Sequence, residues 1–281
     1  MHKITKALYG LKQASRAWYT WIDGYFQRFG LIIKNNKPTL YIKREGNHIL
    51  LIYLYVDDLI CMGSDSIMND KFNTNLMYEF DMKDLGLMRY FLSIDVHQCQ
   101  DQFFFYQIKY ARDMLTKYGM DNCNSILNHV AYQELLYKED GAPKANVIEF
   151  RSIIGSLMFL CNTRPDIQSV ISMVSRYMND PSILHMNIAK IILIYVKGTI
   201  NFGLHYCHVE KMELVWYNDN DGGSNLDDRK SNFRKCFLLG LDMITWSSKQ
   251  YSTVVVSSCE VEYIEYFGEK QHGKPILYCD N

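Results

Sequence analysis

The chain has 281 residues, 48% of them hydrophobic and 14% aromatic, a globular composition with enough apolar material for two packed cores and no dominance of disorder. With 30 basic against 31 acidic residues the net charge is −1, which excludes a global basic field as the means of holding a nucleic acid. Any such binding must be local, as at Lys3, Lys6, Lys12 and Arg16 or at Arg229, Lys230, Arg234 and Lys235; a solvated face explains either cluster equally well. The eight cysteines are scattered without the paired spacing of a zinc or redox motif, a pattern that fits reduced thiols in a cytoplasmic or nuclear setting. No cationic-then-apolar leader opens the chain, and the longest apolar runs fall well short of the ~20 residues of a membrane span, so the reading is neither secreted nor membrane-bound.

Taken in order, residues 15–30 place Trp18, Trp21, Ile22, Tyr25, Phe26 and Phe29 at helical spacing, with Ser15 as a start and Gly30 as a stop. A core-facing helix is the expectation. A hairpin turned at Glu45-Gly46-Asn47 leads into HILLIYLYVDDLICMGS, His48 to Ser64, where an apolar run is cut by Asp57 and Asp58 and then resumes. Two buried strands joined by an acidic turn fit that pattern, since aspartate bonds its own backbone in turns. Metal-assisted phosphoryl transfer needs several carboxylates converging on ions ~3.5–4 Å apart. Neighbours on a strand face opposite ways, so one of the two aspartates is well aimed and a further carboxylate must come from another strand.

Residues 66–80 predict an amphipathic helix through Met68, Phe72, Leu76 and Phe80. A second hairpin is expected from Tyr90–Val96 and Phe103–Gln107, then a helix closed by Gly119. The weakly periodic stretch 121–147 reads as a linker. Three helices follow, over 150–161, from Pro165 at its favoured first position, and over 183–196; Arg164 to Asp166 reads as a capped helix start without chemistry. From Phe202 short strands take over, at 202–206, 212–217, 233–239 and 243–247, then a helix over 258–267 and a last strand, 276–279. His205, Cys207 and His208 are close enough in sequence to be weighed as metal ligands, but strand alternation would divide them between faces.

Blocks along the whole chain, among them KALYGLKQASRAWY (Lys6 to Tyr19), LYVDDLI (Leu54 to Ile60), FDMKDLG (Phe80 to Gly86), YFLSIDV (Tyr90 to Val96), TRPDI (Thr163 to Ile167), YVKGT (Tyr195 to Thr199), DDRKS (Asp227 to Ser231), WSSKQ (Trp246 to Gln250) and YCDN (Tyr278 to Asn281), resemble in content and order the polymerase and ribonuclease H portion of copia-type (Pseudoviridae) retrotransposon Pol polyproteins. The resemblance implies an α+β chain with a partial reverse-transcriptase palm and thumb over 1–120, a linker and helical connection over 121–200, and a ribonuclease H-like α/β domain over 201–281. It implies Asp57 and Asp58 as polymerase carboxylates, Asp219, Glu262 and Asp280 as nuclease carboxylates, and Mg2+ held by all five. Template–primer or an RNA–DNA hybrid would be the partner. YFLSIDV would lie at the grip on the primer end, with Ser93 where the family commonly has glycine.

Departures from the family pattern set further expectations. The first polymerase aspartate of the family precedes the block beginning at Lys6, Glu262 and Asp280 are closely spaced, and the chain stops just after Asp280. The chain is therefore expected to be truncated at both ends, inactive in DNA synthesis, weak or inactive as a ribonuclease H, and prone to self-association through an uncovered palm surface. The alternatives are a non-catalytic remnant or a nucleic-acid or protein binding module, and a metal-dependent ribonuclease H alone.

Overall fold

The structure is a computed structural model that describes residues 12–34, 37–127, 136–208, 212–220, 227, 230, 232–250 and 276–279. The chain divides into two compact units, Met1–Met88 and Arg89–Asn281.

In the first unit the aromatic stripe becomes the inner face of α1 (Lys12–Arg28), which begins three residues before Ser15. Ile22, Tyr25 and Phe26 are buried, with Trp18 and Phe29 packed beside them. Trp21 departs from the expectation: it is 52% exposed and leans on Phe80 with ring centroids 4.7 Å apart. The helix stops where Gly30 takes φ +86° and the Leu31 N–H reaches back to the Phe26 carbonyl at 2.9 Å, a conformation that glycine adopts without steric cost. An antiparallel sheet follows, β1 (Ile32–Lys34), β2 (Lys37–Glu45), β3 (His48–Tyr55) and β4 (Asp58–Gly63), with its strands in sequence order. Strand β3 alternates as a half-covered strand should. Leu50, Ile52 and Leu54 are buried, while Leu51 and Tyr53 are half-buried on the other face. Helix α2 (Ser66–Glu79) opens on Asp65, whose carboxylate accepts the Met68 N–H at 3.0 Å. Its Met68, Phe72 and Leu76, four apart, close the core over Tyr41, Leu50 and Ile52.

The second unit begins with β5 (Tyr90–Phe91), β6 (Ile94–Cys99) and β7 (Gln102–Tyr106). Between β5 and β6 the chain reverses on Leu92 and Ser93, both at positive φ (49° and 62°), which gives a physical reason for glycine at the second of these positions. Helices α3 (Ile108–Lys117), α4 (Val147–Leu160), α5 (Gln168–Val174) and α6 (Ile183–Gly198) enclose a core in which Phe150, Ile154, Leu157, Val174, Leu193 and Val196 are fully buried. Strand β8 (Gly203–Cys207) then pairs antiparallel with β7, from Gln102↔Cys207 to Tyr106↔Gly203. The sequence grouped this strand with those that follow it; in the structure it completes the sheet begun at Tyr90. A last sheet holds β9 (Leu214–Asn220), β10 (Asn232–Leu239), β11 (Asp242–Gln250) and β12 (Ile276–Cys279) in the order β11-β10-β9-β12, with β12 parallel to β9. The helix expected over 258–267 lies outside the described residues.

Arg164 is not the plain helix start that its sequence suggested. Its side chain is 3% exposed and grips Asp166 with two N–H groups, Nε to Oδ1 at 2.8 Å and Nη2 to Oδ2 at 2.6 Å. The same guanidinium donates to the carbonyl and hydroxyl of Thr199 at 2.9 and 2.7 Å, and Tyr195 donates its hydroxyl to Asp166 at 3.0 Å. Burial works against the Asp166 carboxylate, but hydrogen bonds and charge from Arg164 outweigh it and hold the pKa below the ordinary aspartate value. Next to Thr199, Gly198 lies against the Ile126 backbone, where a Cβ would come 2.2 Å from the carbonyl oxygen. Removing Arg164 leaves Asp166, whose side chain is 29% exposed, without its charged partner, at a cost of up to about 3–5 kcal/mol, the figure for a fully buried pair. Arg164→Ala should lose stability of that order in chemical denaturation, and a loss under about 1 kcal/mol would contradict the role given to the pair.

A second polar knot starts α6. His185 is fully buried and stacked on Tyr177, centroids 3.9 Å apart. Its Nδ1 accepts the Ser182 N–H at 3.0 Å while the Ser182 hydroxyl accepts the His185 N–H at 3.3 Å, a reciprocal cap. Nε2 lies 3.9 Å from the Asp140 carboxylate, which also accepts the Ser182 hydroxyl and the Ala142 N–H. Burial lowers the His185 pKa and outweighs the opposing pull of Asp140 and Asp227. A histidine depressed on folding contributes stability that is whole above its unfolded pKa of about 6.5 and is lost as the pH falls below it. The urea midpoint should therefore drop between about pH 7.5 and pH 5.5, and His185→Gln should flatten that drop; an unchanged slope in the variant would exclude His185 as its source.

Candidate active site

The acidic hairpin is built by a ladder that runs in unbroken register from Leu50↔Gly63 to Tyr55↔Asp58. That register leaves Val56 and Asp57 as a two-residue turn, with Asp58 as the first residue of the returning strand. Strand alternation therefore does not govern the relation between Asp57 and Asp58, because Asp57 belongs to the turn. Both aspartates are exposed at the tip. Val56 has φ +53°, a conformation in which a β-branched side chain is strained and which two-residue hairpins usually give to glycine or asparagine. Trp18 supports the strained residue from α1, donating its indole N–H to the Val56 carbonyl at 2.9 Å. The helix stripe that sequence assigned to packing thus also fixes the turn that presents the carboxylates.

The second set of predicted carboxylates falls on the last sheet. Along β9, Trp216 and Asn218 are buried while Tyr217 and Asp219 face outward, so Asp219 stands on the exposed side for reasons of period alone. Directly opposite it on β10 is Arg234, whose Nη1 donates to Asp219 Oδ2 at 2.8 Å; their side chains are 42% and 54% exposed. Glu262 and Asp280 lie outside the described residues. Sequence treated Arg234 as one of a basic cluster; its register opposite Asp219 was the missing information.

Carboxylate oxygens are the donors that magnesium takes, and the adjacent exposed pair at Asp57 and Asp58 fits that chemistry. Asp219 has one oxygen, Oδ2, engaged by a guanidinium. Among the described residues no three His, Cys, Asp or Glu side chains are grouped to hold a metal ion. His205 and Cys207, two apart on β8, share a face, with Sγ 3.5 Å from Nδ1, and His205 meets Gln102 at 3.0 Å. Among the described residues no helix is long and apolar enough to cross a membrane.

A half-covered antiparallel hairpin with adjacent aspartates at its tip, packed with α1 and α2 around one core, fits a reverse-transcriptase-like chain of mixed α+β structure. The two strands are less buried than the sequence suggested, since β4 has no buried residue. Residues 1–131 match the family model described as reverse transcriptase (RNA-dependent DNA polymerase). The chain is 32% identical, over 99% of its length, to the retrovirus-related Pol polyprotein from transposon RE1 of Arabidopsis thaliana, covering 20% of that polyprotein. It is 31% identical, over 98% of its length, to the corresponding polyprotein from transposon TNT 1-94 of Nicotiana tabacum, covering 21%. An uncharacterised mitochondrial protein of Arabidopsis thaliana is 34% identical over 76% of the chain, which covers 89% of that relative. No solved structure matches. The chain belongs to the Pol polyproteins of copia-type retrotransposons, and it spans about a fifth of the length of the Pol polyproteins it matches.

The strain at Val56 is open to a direct test. Replacing an exposed valine by glycine in a strand or turn ordinarily costs stability, but here the relief of positive φ should offset it, so Val56→Gly is expected to fall between unchanged and about 1 kcal/mol more stable in denaturation. A loss above about 1 kcal/mol would place the backbone of Val56 outside the strained region.

Proposed function

We propose that the chain carries the acidic hairpin of an RNA-directed DNA polymerase palm, followed by a helical connection and a ribonuclease H-like sheet, with functional divisions at 1–120, 121–200 and 201–281. One observation supports the polymerase part above the others: the ladder and Trp18 hold the turn that carries Asp57 and Asp58, both exposed, at the tip of the hairpin. Magnesium held there would neutralise the phosphates of a template–primer and polarise the reacting phosphoryl group. The protein's own part is positional. Trp18 and the β3–β4 ladder limit where the two carboxylates can move, and a turn strained at Val56 is kept by the packing around it. Functional and structural divisions need not coincide, since the β7–β8 ladder joins the first to the third.

The nuclease part is read as catalytically impaired, because Asp219 is already paired with Arg234. A metal-dependent ribonuclease H acting through Asp219, Glu262 and Asp280 is the second reading. It is favoured by the parallel β9–β12 register, which sets Cys279, the residue before Asp280, opposite Asn218, the residue before Asp219. Among the described residues β4 is an end strand of its sheet, and unpaired strand edges recruit other chains, so a second copy is the proposed occupant of that edge.

The test of the polymerase reading is magnesium-dependent binding of a labelled RNA–DNA template–primer, followed by fluorescence anisotropy. Replacing Asp57 and Asp58 together by asparagine should remove the magnesium dependence and weaken binding about tenfold, while leaving the denaturation midpoint within about 1 kcal/mol of wild type. Equal affinities with and without the carboxylates would defeat the reading. Nucleotide addition to the bound primer would show the hairpin to be catalytic, whereas binding without addition fits an impaired polymerase.

A further inference from the structure

We infer that Arg234 is a resident counter-ion of Asp219 that competes with divalent metal for the same carboxylate. The inference rests on the reading of Asp219 as a metal-site carboxylate and adds the residue that keeps metal away from it. Three observations carry it. Arg234 and Asp219 are register partners on adjacent antiparallel strands, so the ladder that forms the sheet also brings the two side chains to one face. The contact is a direct 2.8 Å hydrogen bond from Nη1 to Oδ2. Both side chains are partly exposed, which leaves the carboxylate within reach of ions from solvent.

A guanidinium hydrogen bond draws on the negative charge that a divalent cation would use, and a bound cation would also face the like charge of Arg234 at close range. The exposed position sets the scale. Solvent screens the pair, so its hold is modest, and metal affinity should be reduced rather than abolished. Arg234 is a positioning residue in this reading, acting on metal only through Asp219.

The experiment is titration of the whole chain with Mn2+, read by electron paramagnetic resonance of the free ion, for wild type, Arg234→Gln, Arg234→Lys, Asp219→Asn and the Arg234→Gln/Asp219→Asn double variant. Arg234→Gln should bind Mn2+ roughly threefold to tenfold more tightly than wild type, and the double variant should lose the gain. Arg234→Lys, which keeps the charge, should stay within about twofold of wild type and serves as the comparison if the glutamine variant is poorly folded. Equal affinity in wild type and both Arg234 variants, lost on Asp219→Asn, would leave Asp219 a ligand and overturn the role of Arg234. A gain that persists in the double variant, or Mn2+ binding indifferent to Asp219→Asn throughout, would overturn the reading of Asp219 itself.

Discussion

The helical part of the chain depends on one buried cation. Arg164, with its guanidinium almost wholly out of water, would be costly to bury alone, and the fold meets that cost from three places at once: Asp166 next to it, Tyr195 on α6, and Thr199 at the end of α6. Phe202 and Tyr195 lie within 5.3 and 5.5 Å of the guanidinium and cover it from solvent with aromatic faces. Burying the arginine this deeply is weak evidence of net stabilisation, because desolvation consumes much of the attraction. Its effect is to specify. Only when α6 ends where it does are all the donors met, which fixes the helix end from which β8 departs.

The same reasoning separates two kinds of family motif in one chain. TRPDI and YVKGT turn out to be two halves of a latch: Arg164 and Asp166 from one, Tyr195 and Thr199 from the other, and between them Gly198, where the Ile126 carbonyl leaves no room for a side chain. LYVDDLI is different. Its apolar residues feed a core, but Val56 sits at an unfavourable φ and both aspartates project into solvent, features that packing does not require. Local strain retained beside exposed carboxylates is what a presenting site needs, and it is absent from the latch.

Much of the fold was legible because it rests on local rules. The four-residue spacing of Met68, Phe72 and Leu76, the positive φ of Gly30 and Gly119, and the alternation along β3 and β9 each depend on a few neighbours in sequence. Trp21 shows the limit of the helical stripe: the spacing was right, but the core of this unit is narrower than the stripe, so one edge of it is left to solvent. Partnership over distance was not legible. Nothing in Phe202–Tyr206 says that its mate is β7 rather than β9, nothing in Arg164 points 35 residues ahead to Thr199, and Arg234 meets Asp219 only because the β9–β10 register happens to match them. Trp18 was read correctly as packing and incompletely as chemistry, since its indole N–H serves the turn while its ring serves the core. Glu262 and Asp280 lie outside the described residues.

The β7–β8 ladder has a consequence for how the chain reaches its fold. Its members are about a hundred positions apart, with Gln102 paired to Cys207, and all of α3 to α6 lies in the loop that must close before they meet. Closing such a loop is entropically unfavourable unless the intervening helices have already condensed. The natural order is therefore helices first, latch second and the fourth strand last, which makes the β7–β8 pairing the late step while the local hairpins of β5, β6 and β7 close early. During synthesis β7 emerges long before its partner, and for that interval a phenylalanine-rich strand edge stands open, the period in which a chaperone or a neighbouring chain would have most to gain by binding it.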